Sequence, residues 1–404
     1  ERGYDALFVP RADEYLGEYI LPRNERLRWL TGFSGSAGTA LVLAERAAIF
    51  VDGRYRVQVR DQVPADFFSY HHLLEEPPAQ WLAHQLPRGA RVCCDPRLHS
   101  YRWFIDTRDT LLQAGLEWVT DSDNLIDACW LDRPPPTVSE ALLLDIAFSG
   151  EASAAKRARI GASVAAQGCD AALIFAPDAV SWLLNVRGTD LPQLPVLPAF
   201  ALLEASGGLT LFSDSRRLPA GFAAHVGEGV QVQPECEAPP VFAGLCERRV
   251  LTDASTASAH VHLLLQQAEV NLVQGDDPVS LPKACKNPVE LAGARAAHLR
   301  DAVAVCRFLA WLDAEVSAGR LHDEALLSER LLALRRAGEH FHAVSFDTIS
   351  AAGANAALCH YNHRNGQPAT LSMNSVYLCD SGGQYTDGTT DITRTVPIGD
   401  PGEE

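Results

Sequence analysis

Gly3-Tyr4-Asp5-Ala6-Leu7-Phe8-Val9 returns later in the chain as Gly168-Cys169-Asp170-Ala171-Ala172-Leu173-Ile174. Trp29-Leu30-Thr31-Gly32-Phe33 has a weaker echo in Trp182–Gly188, and Phe50-Val51-Asp52-Gly53-Arg54 matches Phe212-Ser213-Asp214-Ser215-Arg216. The three offsets are 165, 153 and 162 residues, in the same order. Two copies of one module is the economical reading, and a period this long excludes a solenoid. Apolar runs such as Ala40–Leu43 and Ala47–Val51 read as strands, and Ser153–Ala166 reads as a helix, so the module is α/β. Gly32-Phe33-Ser34-Gly35-Ser36-Ala37-Gly38 has the glycines of a phosphate loop but neither phosphate-loop pattern, and is read as a tight turn.

Two proline-rich breaks bound the copies. Arg133-Pro134-Pro135-Pro136-Thr137 forbids helix and imposes an extended connection. Gly275-Asp276-Asp277-Pro278, with Pro282 soon after, makes the second break. The expected domains are therefore 1–135, 136–280 and 281–404. A length of 404 residues suits two or three domains at roughly 150 residues each.

The composition is that of a globular protein, with 47% hydrophobic and 21% charged residues. A net charge of −17 argues against a nucleic-acid partner, whose phosphates need clustered Lys and Arg. No run of about 18 apolar residues occurs, so no membrane partner is expected. Ten cysteines at irregular spacings, without a C-x-x-C pair, read as buried free thiols in a reducing, cytoplasmic setting; Cys306, in Ala302-Val303-Ala304-Val305-Cys306, is one of them. The chain opens at Glu1 without an initiator Met, holds one methionine (Met373), and stops at Glu404 just after a strand-like stretch, so both ends read as cut.

The third segment begins with a helix signal: Asn287 as cap, Pro288 at the first helical position and Glu290 completing a capping box. Leu291, Leu299, Val303, Cys306, Leu309, Leu312 and Val316 follow near helical spacing and are expected to face the core. A second helix is expected over about Asp323–Ala337, stopped by Gly338. Beyond it the pattern turns to strands. Ser375–Asp380 alternates and ends on a carboxylate, Ser381-Gly382-Gly383 turns the chain, Asp387-Gly388 turns it again, and Asp391–Val396 alternates. In an antiparallel pair Asp380 and Asp391 converge across the ladder. Two ionised carboxylates meeting there need a proton, an arginine or a metal to offset their repulsion. Spacing alone leaves open a divalent metal pair or Asx-turns paired with Arg394. His360, in Ala357-Leu358-Cys359-His360-Tyr361-Asn362-His363, is by itself more often an ordinary edge residue than a ligand.

Asp380-Ser381-Gly382-Gly383-Gln384-Tyr385-Thr386-Asp387-Gly388-Thr389-Thr390-Asp391-Ile392-Thr393-Arg394-Thr395 resembles the first metal-ligand hairpin of the Xaa-Pro aminopeptidases, in the pita-bread group with prolidase, methionine aminopeptidase and creatinase. Leu281–Glu290 resembles the entry into that catalytic domain, and Arg28–Gly38 and Trp182–Asp190 resemble its two creatinase-type N-terminal domains. The resemblance implies α/β and α+β architecture: two tandem creatinase-N-like domains, then the first half of a pita-bread catalytic domain. It implies two divalent metal ions, manganese with zinc or cobalt as alternatives, with Asp380 a terminal ligand and Asp391 bridging both. It makes His360 the catalytic histidine beside the scissile bond and Phe346 an aromatic of the substrate pocket. The implied reaction is release of the first residue from peptides with proline second, by attack of a metal-activated hydroxide, in a homodimer. The family completes its site with one His and two Glu from the second half of that domain, which are expected beyond Glu404. Prolidase, acting on X-Pro dipeptides, and a catalytically dead peptide-binding protein are the alternatives.

Overall fold

The repeated stretches build two six-stranded sheets with one shared topology. In the first copy the strands are β1 (Ala6–Pro10), β2 (Thr39–Leu43), β3 (Ala47–Val51), β4 (Phe68–His72), β5 (Arg91–Cys94) and β6 (Glu117–Thr120). Their order is β4-β3-β2-β1-β5-β6, antiparallel from β1 through β3 and parallel at both flanks. The second copy has β7 (Ala171–Ile174), β8 (Phe200–Glu204), β9 (Leu209–Phe212), β10 (Val230–Gln233), β11 (Arg249–Thr252) and β12 (Asn271–Gln274). Its order, β10-β9-β8-β7-β11-β12, reproduces the first strand for strand, including the sense of every pairing.

Local chemistry repeats with the topology. Asp52 accepts from the Arg54 amide at 3.0 Å, and Asp214 accepts from the Arg216 amide at 3.0 Å, each after the third strand of its sheet. The helices Arg26–Thr31 and Pro177–Leu184 both end on a left-handed residue, Gly32 (φ 81°) and Asn185 (φ 53°), positions that glycine and asparagine tolerate best. Helices α1 (Tyr101–Gln113) and α2 (Ala259–Gln267) occupy equivalent places between the last two strands. Their caps, Ser100 and Ser258, form a reciprocal bridge: Tyr101 N donates to Ala257 O (2.9 Å) and Ala259 N to His99 O (2.8 Å). The Tyr101 ring stacks on His262 at 3.5 Å.

The computed structural model describes residues 2–402, in two units. One holds both sheets and comprises the residues up to Leu143 with Glu151–Leu191 and Val196–Cys285. The other comprises Leu144–Gly150, Pro192–Pro195 and the residues from Lys286 on.

In this second unit the helix signal is fulfilled. Helix α3 runs Pro288–Ser317; Asn287 accepts from the Val289 and Glu290 amides at 2.9 and 3.0 Å, and Glu290 accepts from the Asn287 amide at 2.9 Å. Helix α4 covers Glu324–Arg336, capped by Asp323. The core-facing stripe expected on α3 holds toward its C-terminal end, where Leu312 is buried and Leu309 and Val316 pack against the core, but not in its first half. Leu299 and Val303 are 72% and 51% exposed, and Leu291 and Cys306 also face outward. The buried face is Ala297, Asp301, Ala304, Val305, Phe308 and Leu312. Leu299 and Asp301 are two residues apart, about 200° around a helix, so over the first half of α3 the covered side is nearly opposite to the expected one. What selects it is Asp301: its carboxylate takes the Arg335 guanidinium of α4 at 2.6 and 3.1 Å. All ten cysteines are free, but six of them are exposed, Cys306 included.

Strands of this unit form two three-stranded sheets. β13 (Phe341–Val344) pairs with β16 (Gly383–Tyr385), which pairs with β17 (Gly388–Thr389). β14 (Ile349–Ala352) pairs with β15 (Ser375–Ser381), which pairs with β18 (Ile392–Ile398). Ser381-Gly382-Gly383 is thus no reversal; it carries the chain from one sheet to the other. A Cβ on Gly382 would lie 1.9 Å from the Thr390 carbonyl oxygen and 2.2 Å from Ser345 Oγ, so the crossing needs glycine.

Burial alone would raise the Asp301 pKa, but Arg335 and the Tyr385 and Thr390 hydroxyls together outweigh it and hold the carboxyl below the usual range. Its stabilising share is present above the unfolded aspartate value near about 3.9 and is lost as pH falls through the depressed folded value. Asp301→Ala leaves Arg335 buried and unpaired, and should cost about 3–5 kcal/mol in a urea denaturation at neutral pH. A loss under about 1 kcal/mol would contradict the role given to this pair.

Candidate metal centre

The long antiparallel pair of β15 and β18 sets the register of the site. Asp380 lies opposite Thr393, and Ser381 opposite Ile392, which puts Asp391 diagonally beyond Asp380 at the same end of the ladder. Asp391 itself stands just before β18 rather than within it. Thr393 Oγ1 donates to Asp380 Oδ1 at 2.7 Å and so fixes one carboxylate oxygen. Burial, and then the negative charge and hydrogen bond of Asp380, push the Asp391 carboxyl above the usual aspartate range. The two carboxylates thus lie close at one end of the ladder. Arg394 does not relieve them: its guanidinium donates to the Thr393 carbonyl at 2.7 Å, and among the described residues no ion pair joins it to either aspartate. Paired hard oxygen donors with uncompensated charge fit a divalent cation. Among the described residues no third His, Cys, Asp or Glu joins them in a group able to hold a metal.

The hairpin of β16 and β17 between the two aspartates is anchored from several sides. Tyr385 Oη donates to Asp301 Oδ1 at 2.8 Å, Arg300 pairs with Asp387, and Gly383 N donates to Thr390 Oγ1 at 2.9 Å. Ser345 Oγ holds the Thr390 carbonyl at 2.9 Å, one residue before Asp391. These contacts fix both ends of the loop that separates the ligand candidates.

Phe346 lies half-buried in the connection from β13 to β14, and Ile349 at the start of β14 pairs with Asp380. His360 is exposed, on a turn after the 3₁₀ segment Gly353–Ala357, with a left-handed φ of 53°. A non-glycine residue there is strained, and such strain clusters at functional positions. Asp347 ties these two loops together, accepting from Asn362 Nδ2 (3.2 Å) and pairing with Arg364 (3.4 Å). It also accepts from Gln193 Nε2 at 2.9 Å, and the Gln193 carbonyl accepts from Gln384 Nε2 at 3.0 Å. Neither Asp347 nor Gln193 drew notice as a site residue in the sequence. Their partners are distant in the chain, and no local pattern marks them.

Comparison with known proteins defines the class first. Residues 1–129 and 132–290 match creatinase/prolidase N-terminal domains, and residues 292–404 match metallopeptidase family M24. The chain is 34% identical to an Xaa-Pro aminopeptidase of Drosophila melanogaster, over 99% of its own length and 66% of that protein's. It is 32% identical to aminopeptidase P1 of Arabidopsis thaliana, over 98% and 68% respectively. An X-prolyl aminopeptidase of Caenorhabditis elegans, described as a cytosolic enzyme with a di-nuclear active site, superposes with a TM-score of 0.92 at 30% identity, covering 98% of this chain and 66% of that one. The chain belongs to the Xaa-Pro aminopeptidase family of M24 metallopeptidases, and spans about two thirds of the length of these relatives.

Thr393 is the residue whose removal most cleanly separates orientation from ligand identity. If Asp380 ligates a divalent cation, Thr393→Val in the full-length protein should weaken that binding by about tenfold to a hundredfold, as loss of an outer partner of a ligand does. Titration calorimetry checks this, and unchanged affinity would mean that Asp380 needs no fixed rotamer.

Proposed function

We propose that the protein of which this chain is part is a metal-dependent aminopeptidase releasing the first residue from peptides with proline in second position. The observation that carries the reading is the convergence of Asp380 and Asp391 at the end of the β15–β18 ladder, with no cation of the described residues to offset them. In this reading Asp380 and Asp391 would be two of the residues that hold the metal. A manganese pair is the favoured occupant, since hard oxygen donors suit it. When bound, two divalent ions supply a water acidified to near neutrality and polarise the scissile carbonyl.

The chain's own residues do the rest. Thr393 fixes one Asp380 oxygen by donating its hydroxyl to it. His360 stands as the proton-holding group at the carbonyl oxygen of the bond before proline, and Phe346 lines the pocket that takes the substrate side chain. A proline nitrogen carries no hydrogen, so the enzyme cannot recognise that amide by a strand-like N–H contact and needs a shaped pocket instead. The three-part division 1–135, 136–280 and 281–404, a cytoplasmic location and a homodimer complete the proposal. The sheet duplication supports the division into two copies, and the cytosolic description of the nematode relative supports the location.

The test is an assay of the full-length protein with Mn²⁺ on X-Pro-Y tripeptides beside X-Pro dipeptides. We expect tripeptide cleavage after the first residue, reduced at least about 100-fold by His360→Ala, the lower end of the range for a general acid–base group. Hydrolysis of the dipeptides alone would make it a prolidase. Mn²⁺ binding without hydrolysis of either would defeat the peptidase reading.

A further inference from the structure

We infer that Glu324 is a positioning residue for His360, acting through the loop 353–369; the functional half of this inference rests on the peptidase reading above. Glu324 is the first residue of α4 and its side chain is wholly buried. Among the described residues no ion pair gives it a cation. Four donors converge on it instead. Oε1 accepts from the Ala352 amide (2.8 Å) and Asn355 Nδ2 (2.9 Å); Oε2 accepts from Tyr361 Oη (2.7 Å) and the Ala369 amide (2.9 Å). An ionised carboxylate offers about four lone-pair sites and no hydrogen, so the match of donors to acceptors is complete.

The four donors lie at the entry, along the course and at the exit of the loop. Ala352 closes β14, Asn355 lies in the turn after it, Tyr361 follows His360, and Ala369 ends the loop. The Glu324 main chain adds to the same grip, its amide donating to Ala369 O at 3.0 Å and its carbonyl accepting from Ser350 Oγ at 2.8 Å. Apart from two short 3₁₀ turns the loop has no regular structure of its own. Its conformation is therefore held by this buried anchor at entry, course and exit, with Asp347 gripping only its Asn362 and Arg364. Tyr361 is the link that matters for chemistry, because fixing its hydroxyl fixes the peptide adjoining His360, whose left-handed backbone needs outside support.

The chemistry of the anchor dictates the test. A glutamine at 324 keeps the shape but presents a donor on one side. In either orientation of its amide, an NH₂ group faces the backbone N–H of Ala352 or of Ala369, and neither can turn away. In the full-length enzyme Glu324→Gln should lower kcat on an X-Pro-Y tripeptide about 100-fold, the scale of a displacement near 1 Å, with KM and Mn²⁺ stoichiometry unchanged. On a His360→Ala background the same substitution should have no further effect on kcat, since both act through one group. Losses that multiply in the double variant, or a wild-type kcat in Glu324→Gln, overturn the inference. Amide exchange supplies a readout free of activity: the Ala352 and Ala369 amides should exchange at least about tenfold faster in Glu324→Gln, with β15 and β18 still protected. If the wild type cleaves no X-Pro peptide, the peptidase reading fails, and unchanged protection of those amides would defeat the anchor as well. Should Glu324→Gln not fold, Tyr361→Phe removes one donor only; it should lower kcat on the wild-type background and not on His360→Ala.

Discussion

The ion pair between Asp301 and Arg335 is the constraint around which the second unit is arranged. It joins the two long helices across 34 residues of sequence, and both side chains are almost wholly buried. A buried pair is weak evidence for net stability, because desolvation consumes most of the attraction. Its value here is one of specification. The guanidinium fork and the carboxylate fit bidentately, so α3 is fixed in rotation about its own axis against α4. The remaining capacity of Asp301 receives the Tyr385 hydroxyl, and through it the hairpin between Asp380 and Asp391 is held to the helix layer. Misrotating α3 would uncouple the site from its support as well as bury Leu299 in place of Phe308.

The first unit reaches definition by repetition. Two sheets of one topology use the same aspartate-to-amide turn after their third strand and the same left-handed helix ending, and the equivalent helices meet through their own caps. Ser100 and Ser258 each satisfy an amide of their own helix while their neighbours exchange hydrogen bonds with the other copy. Backbone groups that a helix start leaves open are thereby satisfied within the joint.

The duplication, the capping box and the aspartate pair were legible in the sequence because each is local or repeats. The glycine pair at 382 and 383 was noticed, but its purpose was misread. A turn and a close crossing between sheets both call for glycine, and only the position of Thr390 in space tells them apart. The face of α3 was misread over its first half for a related reason, while Leu309, Leu312 and Val316 do meet the core. Periodicity gives the spacing of a stripe, but several stripes of small and apolar residues wind around this helix. The choice among them was made by a charged residue, Asp301, whose partners lie 34 and 84 positions away. Glu324 was invisible for the same reason: its four donors are spread from Ala352 to Ala369.

Three carboxylate settings in one unit show how surroundings rather than residue type assign a role. Asp301 meets a guanidinium, and its charge is compensated. Glu324 meets four neutral donors, and charge-assisted bonds of about 1.5–3 kcal/mol each can offset the several kcal/mol of burying an ion. Asp380 and Asp391 meet each other. A single threonine hydroxyl serves Asp380, and burial together with the neighbouring Asp380 raises the pKa of Asp391. Of the three, only this last arrangement is left wanting positive charge. It stands at the partly exposed end of a rigid ladder, where an ion could reach it without disturbing the core. The physical case for a cation there does not depend on the family; the family says which chemistry such a cation has been used for.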